Sequence, residues 1–413
     1  METVNVLVVS SKYTPEYAGS GLRARRTYAR ISEKFPVDFE VLTGSLAYNR
    51  SEVYHIDGHK VTRIAGKVFS SATDEKRKKG SSGIIEKFKN GCNYLAEAVL
   101  TWRYLILNIG RFEVMHIFGK NWVTSAAVTF AKILRKPLIV ELCNEAYTPH
   151  HYEPFFFKAL LGKRFPEGAS IVCISEMLRK VCEEHGYKEN VWCRPNPIDE
   201  KRFFIDRANK SRLRAKHTPF NDKDILLICI SKFRPSKNQV FLLDVLRRLP
   251  DEFKLVLAGP LAEGGPLLAR DRRYLEEIKK KAAESGLEGR VRIEAGFIDD
   301  VDEYLKMSDA FLFPTRLEAL GTPMLEAISC GIPVIANRLP GVTDTWVKDG
   351  INGFISGLDA DEFAEKTKKA IMIDRNSLDG AREKIISRCS SDLIDRRYFD
   401  LIKSAARRGR DDE

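Results

Sequence analysis

No run of about 18 apolar residues occurs in the 413-residue chain, so no membrane-spanning helix is expected. The start, Met1-Glu2-Thr3-Val4-Asn5, lacks a basic segment and a long apolar segment and reads as the approach to a first strand, not as a signal peptide. None of the eight cysteines stands in a Cys-x-x-Cys pair, and most lie in apolar runs, as buried thiols of a reducing compartment would. A cytoplasmic protein is expected, at most peripheral to the inner face of the cell membrane. Internal repeats and low-complexity tracts are absent. Negative charge is scarce in the first half: residues 1–205 hold 31 Lys and Arg against 22 Asp and Glu, or +9 of the net +11. Such asymmetry suits an anionic partner.

What is present is a rhythm. Short apolar, β-branched runs alternate with longer helical patterns, at Val6–Val9, Phe39–Leu42, Val114–Phe118, Leu138–Leu142 and Ser170–Ile174, and again at Ile225–Ile230, Lys254–Ala258, Val291–Glu294, Ala310–Phe313 and Pro333–Ala336. This is the β-α-β pattern of parallel sheets covered by helices. It occurs twice, and residues 196–221 between the two series read as a linker. The expected α/β architecture is two Rossmann-like domains with a cleft between them, at 1–200 and 201–385, followed by a helical pattern at 386–413. In open α/β sheets, ligands sit at the carboxyl ends of the strands, so functional residues are sought on the loops that follow strands.

Ala310–Phe313 runs into Pro314-Thr315-Arg316-Leu317-Glu318-Ala319-Leu320-Gly321-Thr322-Pro323-Met324-Leu325-Glu326-Ala327. Thr322 reads as the N-cap and Pro323 as the first residue of a helix. The N–H groups from Leu320 to Leu325 then form an anion cradle, with Glu318 and Glu326 on either side. A nucleotide sugar needs this combination, N–H donors for its diphosphate and carboxylates for its hydroxyl groups. After Ile225–Ile230 comes Ser231-Lys232-Phe233-Arg234-Pro235-Ser236-Lys237-Asn238, whose Lys232 and Lys237 can neutralise a leaving diphosphate. After the first strand, Gly19-Ser20-Gly21 opens a helix near Leu22 and allows close backbone approach to a phosphate or sugar.

The two glutamates separated by seven residues, with Gly331-Ile332-Pro333-Val334-Ile335-Ala336, Pro340-Gly341-Val342-Thr343-Asp344 and Asp349-Gly350-Ile351-Asn352-Gly353, resemble the family 4 glycosyltransferases of the GT-B fold. The resemblance implies a retaining hexosyl transfer from a UDP- or GDP-sugar to an acceptor hydroxyl by front-face attack. It implies that Glu318 supports the reacting sugar, that Glu326 holds the ribose hydroxyls, and that Ala319, Leu320, Gly321 and Thr322 bind the donor. Phe297 would meet the base, and Gly19, Ser20 and Gly21 would face the phosphates. Lys232 stands where the family has an arginine, and Phe118 where a histidine is often found, two places beyond His116. His116 therefore reads more readily as core than as acceptor-site residue, with Asn144 and Glu145 as looser acceptor candidates. Pro195-Asn196-Pro197 takes a hinge role, and the resemblance implies that 1–200 is the acceptor-binding domain, that 201–385 is the nucleotide-sugar-binding domain and that the helix at 386–413 returns toward the first.

Asp300-Val301-Asp302 spells a metal motif of another transferase fold but opens a helical pattern, so Asp300 reads as its cap and no metal or other cofactor is expected. The acceptor is expected to be a glycan or lipid-linked, with an anionic membrane surface as partner, since Lys76, Arg77, Lys78, Lys79, Lys87 and Lys89 and the aromatic cluster Tyr152–Phe157 suit such a surface. The basic run lacks interleaved aromatics, so nucleic acid is not expected. The rival from another class is an inactive partner protein that binds a nucleotide sugar. A phosphorylase would need a cofactor lysine, and none is identified.

Overall fold

The computed structural model describes residues 2–16, 18–45, 48–65, 83–143, 168–262 and 265–411. The chain divides into two units: residues 1–174, 178–194 and 394–413 form the first, residues 175–177 and 195–393 the second.

In the first unit, β1 (Val4–Ser10), β2 (Val37–Thr43), β3 (Glu52–Ile56), β4 (His59–Arg63), β5 (Val114–Phe118), β6 (Leu138–Leu142), β7 (Ser170–Cys173) and β8 (Val191–Cys193) form one sheet in the order β3-β4-β2-β1-β5-β6-β7-β8. All pairings are parallel except β3 with β4. β5, β6 and β7 are buried at every position, His116, Glu141 and Ser170 included, as strands of a parallel sheet covered by helices on both faces are. The described helices here are α1 (Gly19–Lys34), α2 (Gly83–Leu107), α3 (Trp122–Ile133) and α4 (Glu176–Glu184), the last beginning among residues grouped with the second unit.

The second unit contains β9 (Ile225–Ile230), β10 (Phe253–Gly259), β11 (Val291–Ala295), β12 (Ala310–Phe313), β13 (Val334–Asn337) and β14 (Gly353–Ser356), an all-parallel sheet in the order β11-β10-β9-β12-β13-β14. Its helices are α5 (Lys210–His217), α6 (Phe241–Leu246), α7 (Gly265–Glu284), α8 (Val301–Lys306), α9 (Thr322–Ser329), α10 (Thr343–Trp346), α11 (Ala360–Ala370) and α12 (Arg375–Cys389). Both units are Rossmann-like, and each sheet reverses its strand order once, between β1 and β5 and between β9 and β12. Those two points are where such sheets open a ligand crevice.

Residues 196–221 differ from the expected linker. They carry α5, and Arg214, almost fully buried, donates to the carbonyls of Met307 and Asp224 and pairs with Asp309. Ile198, Phe203 and Leu213 are buried as well, so the segment packs as part of the second unit. The last helix, α13 (Ser391–Asp411), passes at Ile394 into the first unit. Ile394, Tyr398, Phe399, Ile402, Ala405 and Ala406 form one helical stripe in the core beside Val6, Phe39 and Val114. Asp395, fully buried next to that stripe, accepts from Arg30 and Lys34 of α1.

Candidate active site

The site is built from the two loops at the β9/β12 reversal. After β9, Gln239 is almost fully buried, and its Nε2 donates to Ser231 Oγ and to the Lys232 carbonyl, 2.9 Å each. This folds the loop back into a single 3-10 turn, Pro235–Lys237, followed by Asn238 in the left-handed region at φ 56°. After β12, Thr315 Oγ1 and the Arg316 N–H both donate to the Ser236 carbonyl, at 3.2 and 2.9 Å. Asn337 Nδ2 donates to the Thr315 carbonyl at 2.8 Å. The loops are thus stitched together, and the ammonium of Lys237 meets the carboxylate of Glu318 in a close ion pair.

Glu318 also accepts from the Ala319 N–H at 2.9 Å. Burial alone would raise its pKa, but Lys237 and the N–H groups of Ala319 and Leu320 outweigh it and hold the carboxyl below its ordinary value. The side chains of Glu318 and Lys237 are 21% and 12% exposed, enough for a ligand to reach them.

The start of α9 differs from the sequence reading in two ways. Its N-cap is Gly321, in the left-handed region at φ 80°, and Thr322 is the first helical residue with Pro323 second. Thr322 Oγ1 is free of capping because it accepts from Asn196 Nδ2 at 2.9 Å. The anion cradle is also narrower than Leu320–Leu325. Ala319 and Leu320 turn their N–H groups to Glu318, Met324 and Leu325 donate to the Gly321 carbonyl, and Pro323 has no N–H. Among the described residues, the N–H groups of Gly321 and Thr322 meet no acceptor, and they stand at the positive end of the helix. Glu326 is four residues beyond Thr322, on the same half-buried face, while Met324, Leu325, Ala327 and Ile328 are buried. Lys232 is half-buried at the end of β9, and the contact with Glu318 is made by Lys237.

Phe297 lies on the loop after β11 and is 80% exposed, so it contributes little to the core. With Gly296, Ile298, Asp299, Asp300 and Tyr304 it lines an open recess of about 500 Å³.

In the first unit α1 begins at Gly19, not near Leu22, with Ala18 as a cap that makes no side-chain bond. A Cβ at Gly21 would stand 2.3 Å from the Lys12 carbonyl oxygen, whereas Gly19 faces open space. The glycine at 21 is therefore required by packing of the helix start on the chain after β1. Ser20 Oγ lies 3.0 Å from Ser11 Oγ at the β1/β5 reversal.

His116 is fully buried, with Tyr28 Oη 2.8 Å from Nδ1 and Glu141 Oε1 3.5 Å from Nε2. Burial lowers its pKa, against the opposing pull of Glu141. It is a core histidine. Glu141, also fully buried, accepts from Arg194 Nη2 at 2.9 Å and from the Tyr398 hydroxyl, with Arg23 Nε 3.9 Å away. Burial would raise the Glu141 carboxyl, but Arg194, His116 and Arg23 hold it well below the ordinary carboxylate range. Asn144, Glu145 and Tyr152–Phe157 lie outside the described residues, as do Lys76, Arg77, Lys78 and Lys79.

Residues 210–387, which carry α5 to most of α12, match the family model of glycosyl transferases group 1.

Among curated proteins, the GDP-mannose-dependent α-(1-6)-phosphatidylinositol monomannoside mannosyltransferase of Mycolicibacterium smegmatis is 32% identical over 180 residues, 40% of this chain and 43% of that protein. The N-acetyl-α-D-glucosaminyl L-malate synthase of Bacillus anthracis is 27% identical over 218 residues, 50% of this chain and 53% of that protein. The chain thus spans about half the length of the curated relatives it matches. Solved structures match more of it. Anabaena HepE in complex with UDP and glucose superposes with a TM-score of 0.68 over 97% of this chain and 100% of that one, at 18% identity. Sucrose-phosphate synthase from Thermosynechococcus elongatus superposes with a TM-score of 0.71 over 97% of this chain and 98% of that one, at 16% identity. The fold is GT-B.

Two groups in the chain were not singled out from sequence. Asn196, read only as a hinge residue, holds Thr322 at the start of α9, a contact 126 positions long that no local pattern signals. His217, Asp300 and Glu303 bring a ring nitrogen and two carboxylates within ligand reach of one another, a set that could hold a metal ion. Asp300 is the N-cap of α8, as expected, but its side chain makes no cap bond and stands 3.5 Å from His217 Nε2. The Lys216 ammonium, 2.5 Å from Glu303, already supplies positive charge there.

Proposed function

We propose that the protein transfers a hexosyl group from a nucleotide diphosphate sugar to a hydroxyl of a lipid-linked glycan or lipid acceptor, with retention at the anomeric carbon. The observation that carries this reading is the Lys237–Glu318 pair beside the open N–H groups of Gly321 and Thr322, within the stretch that matches the transferase family. The anomeric C–O bond of the donor breaks and a new one forms to the acceptor oxygen on the same face. The acceptor proton passes to the leaving phosphate oxygen. Lys237, Lys232 and the start of α9 bear the negative charge that develops on the diphosphate, which supports transfer without a metal ion or other cofactor. Glu318, held ionised by Lys237, stabilises positive charge developing on the sugar, and Glu326 accepts from the ribose hydroxyls.

The nucleotide donor is supported by the HepE complex with UDP and glucose and by the GDP-mannose dependence in the mycobacterial relative's name. The lipid-linked acceptor is supported by names that include phosphatidylinositol monomannoside, diphosphoundecaprenol and diacylglycerol. Among the described residues, no helix is long and apolar enough to cross a membrane, so such an acceptor would be met at the membrane surface.

Thermal denaturation with UDP, GDP, ADP and their sugar conjugates tests the donor site, because a ligand that binds the folded state raises its midpoint. One nucleotide series should stabilise the wild type and fail with Glu326→Ala. No shift with any of them overturns the reading. A shift without sugar release or transfer that depends on Glu318 would instead make the protein an inactive nucleotide-sugar-binding partner.

A further inference from the structure

Helices α2 and α3 pack side by side in the first unit. Tyr94 stacks on Trp122 with ring centroids 4.6 Å apart, and eight residues later in each helix Trp102 meets Phe130 edge-on at 5.6 Å. Equal spacing on both helices means that they run parallel and in step, so the end of α3 lies beside the end of α2. Their outer side is apolar where a soluble helix pair would be polar. Leu95, Val99, Ile106 and Leu107 on α2 are 67%, 59%, 56% and 71% exposed, and Ile133 and Leu134, closing α3, are each 42% exposed. Leu95, Val99 and Ile106 recur at helical spacing on one face, with Arg103, also exposed, set between the last two. A contiguous apolar face of this kind marks an interaction surface.

Its exposed charged side chains, Arg103 and Arg135, are both cations. Residues 91–107 and 122–136 contain Arg103, Lys132, Arg135 and Lys136 against the single acid Glu97. Apolar side chains with cations among them fit an anionic bilayer, where the former enter the acyl boundary and the latter meet lipid phosphates. The face also starts in the right place. Asn121 caps α3 with its side-chain oxygen and donates through Nδ2 to the Ser11 carbonyl at 2.7 Å, so Trp122 lies next to the β1/β5 reversal of this sheet.

We infer that the outer face of α2 and the end of α3 form a docking surface for an anionic lipid bilayer. The inference rests on the lipid-linked acceptor proposed above and names the part of the chain that brings the enzyme to it.

The test is sedimentation of the full chain with vesicles of phosphatidylcholine alone and of phosphatidylcholine with phosphatidylglycerol. Wild type should pellet with the anionic vesicles and not with the neutral ones at moderate salt. Leu95→Glu/Val99→Glu/Ile106→Glu and, separately, Arg103→Glu/Arg135→Glu should each weaken binding at least about tenfold. Both variants should keep the wild-type melting midpoint and nucleotide shift, since these exposed residues belong to the first unit and the loops of β9 and β12 to the second. If the apolar variant misfolds, the charge variant still decides. The inference is overturned if wild type stays in the supernatant, if the variants bind as well as wild type, or if sedimentation equilibrium shows a dimer that the apolar variant abolishes without any lipid binding. Vesicle binding by a protein that no nucleotide stabilises would remove the donor reading and leave this surface standing.

Discussion

Glu318 and Lys237, both proposed above to act on the donor, are paired with one another in the free protein. The pairing offsets the cost of burying the Glu318 carboxyl and, with the N–H groups of Ala319 and Leu320, holds it below its ordinary value. Glu318→Gln keeps the size and an acceptor for the Ala319 N–H but removes the charge. The expected result is a fall in transfer of about 10²–10³-fold with a melting midpoint close to wild type, read by product formation and circular dichroism. Gly21→Ala has the opposite profile. Its Cβ would collide with backbone at Lys12, and a loss of about 1–3 kcal/mol in stability is expected by denaturant unfolding. Single residues were legible from sequence where type and loop position coincided, as at Glu318 and Lys237. Thr322 was misplaced as a cap because the propensity of threonine for that position was read without Asn196, which occupies its hydroxyl from far along the chain.

At the scale of elements, α9 leaves its first N–H groups without acceptors among the described residues. Gly321 adopts φ 80° with no side-chain cap, so its own N–H and that of Thr322 stay open. Gly321→Ala would place a Cβ in the left-handed region, 3.2 Å from the ring of Phe313. A cost of about 1–2 kcal/mol in folding is expected. Nucleotide affinity should fall as well, since the two N–H groups would be re-aimed, and a thermal-shift titration against wild type reads both effects. All ten strands expected from apolar runs are present within two residues at either end. The four that were missed, β3, β4, β8 and β14, have a common cause. They lie at or next to sheet edges, where burial is partial or the strand is only three to five residues long, so no apolar run marks them. The hairpin of β3 and β4 carries its one fully buried cation, Arg63, against the rings of Tyr48 and Tyr54, a packing that polar sequence conceals.

At the scale of the whole molecule, stability should respond to acid through the first unit. His116 sits below its ordinary value of 6.5, so the unfolded chain takes up that proton first, and stability falls as pH drops below about 6.5. Glu141 sits below its ordinary value of 4.5, so its contribution is present above that value and is lost as pH falls through the folded-state value. A melting curve taken at stepped pH should therefore decline in two stages on the acid side. Glu141→Ala, which leaves Arg194 buried without its carboxylate, should lower stability by about 3–5 kcal/mol at neutral pH, measured by urea unfolding. None of this network was visible in the sequence, because its members come from α1, β5, β6, the end of β8 and α13, which only the fold brings together.

The passage of α13 into the first unit also sets an order of events during synthesis. Residues 195–393 have all been made before Ile394 appears, so the second sheet can close while the first still waits for Tyr398, Phe399 and Ile402 to cover Val6, Phe39 and Val114. For that interval Glu141 and Arg194 also lack the Tyr398 hydroxyl, and the sheet made earliest presents its apolar side to whatever chaperone is at hand.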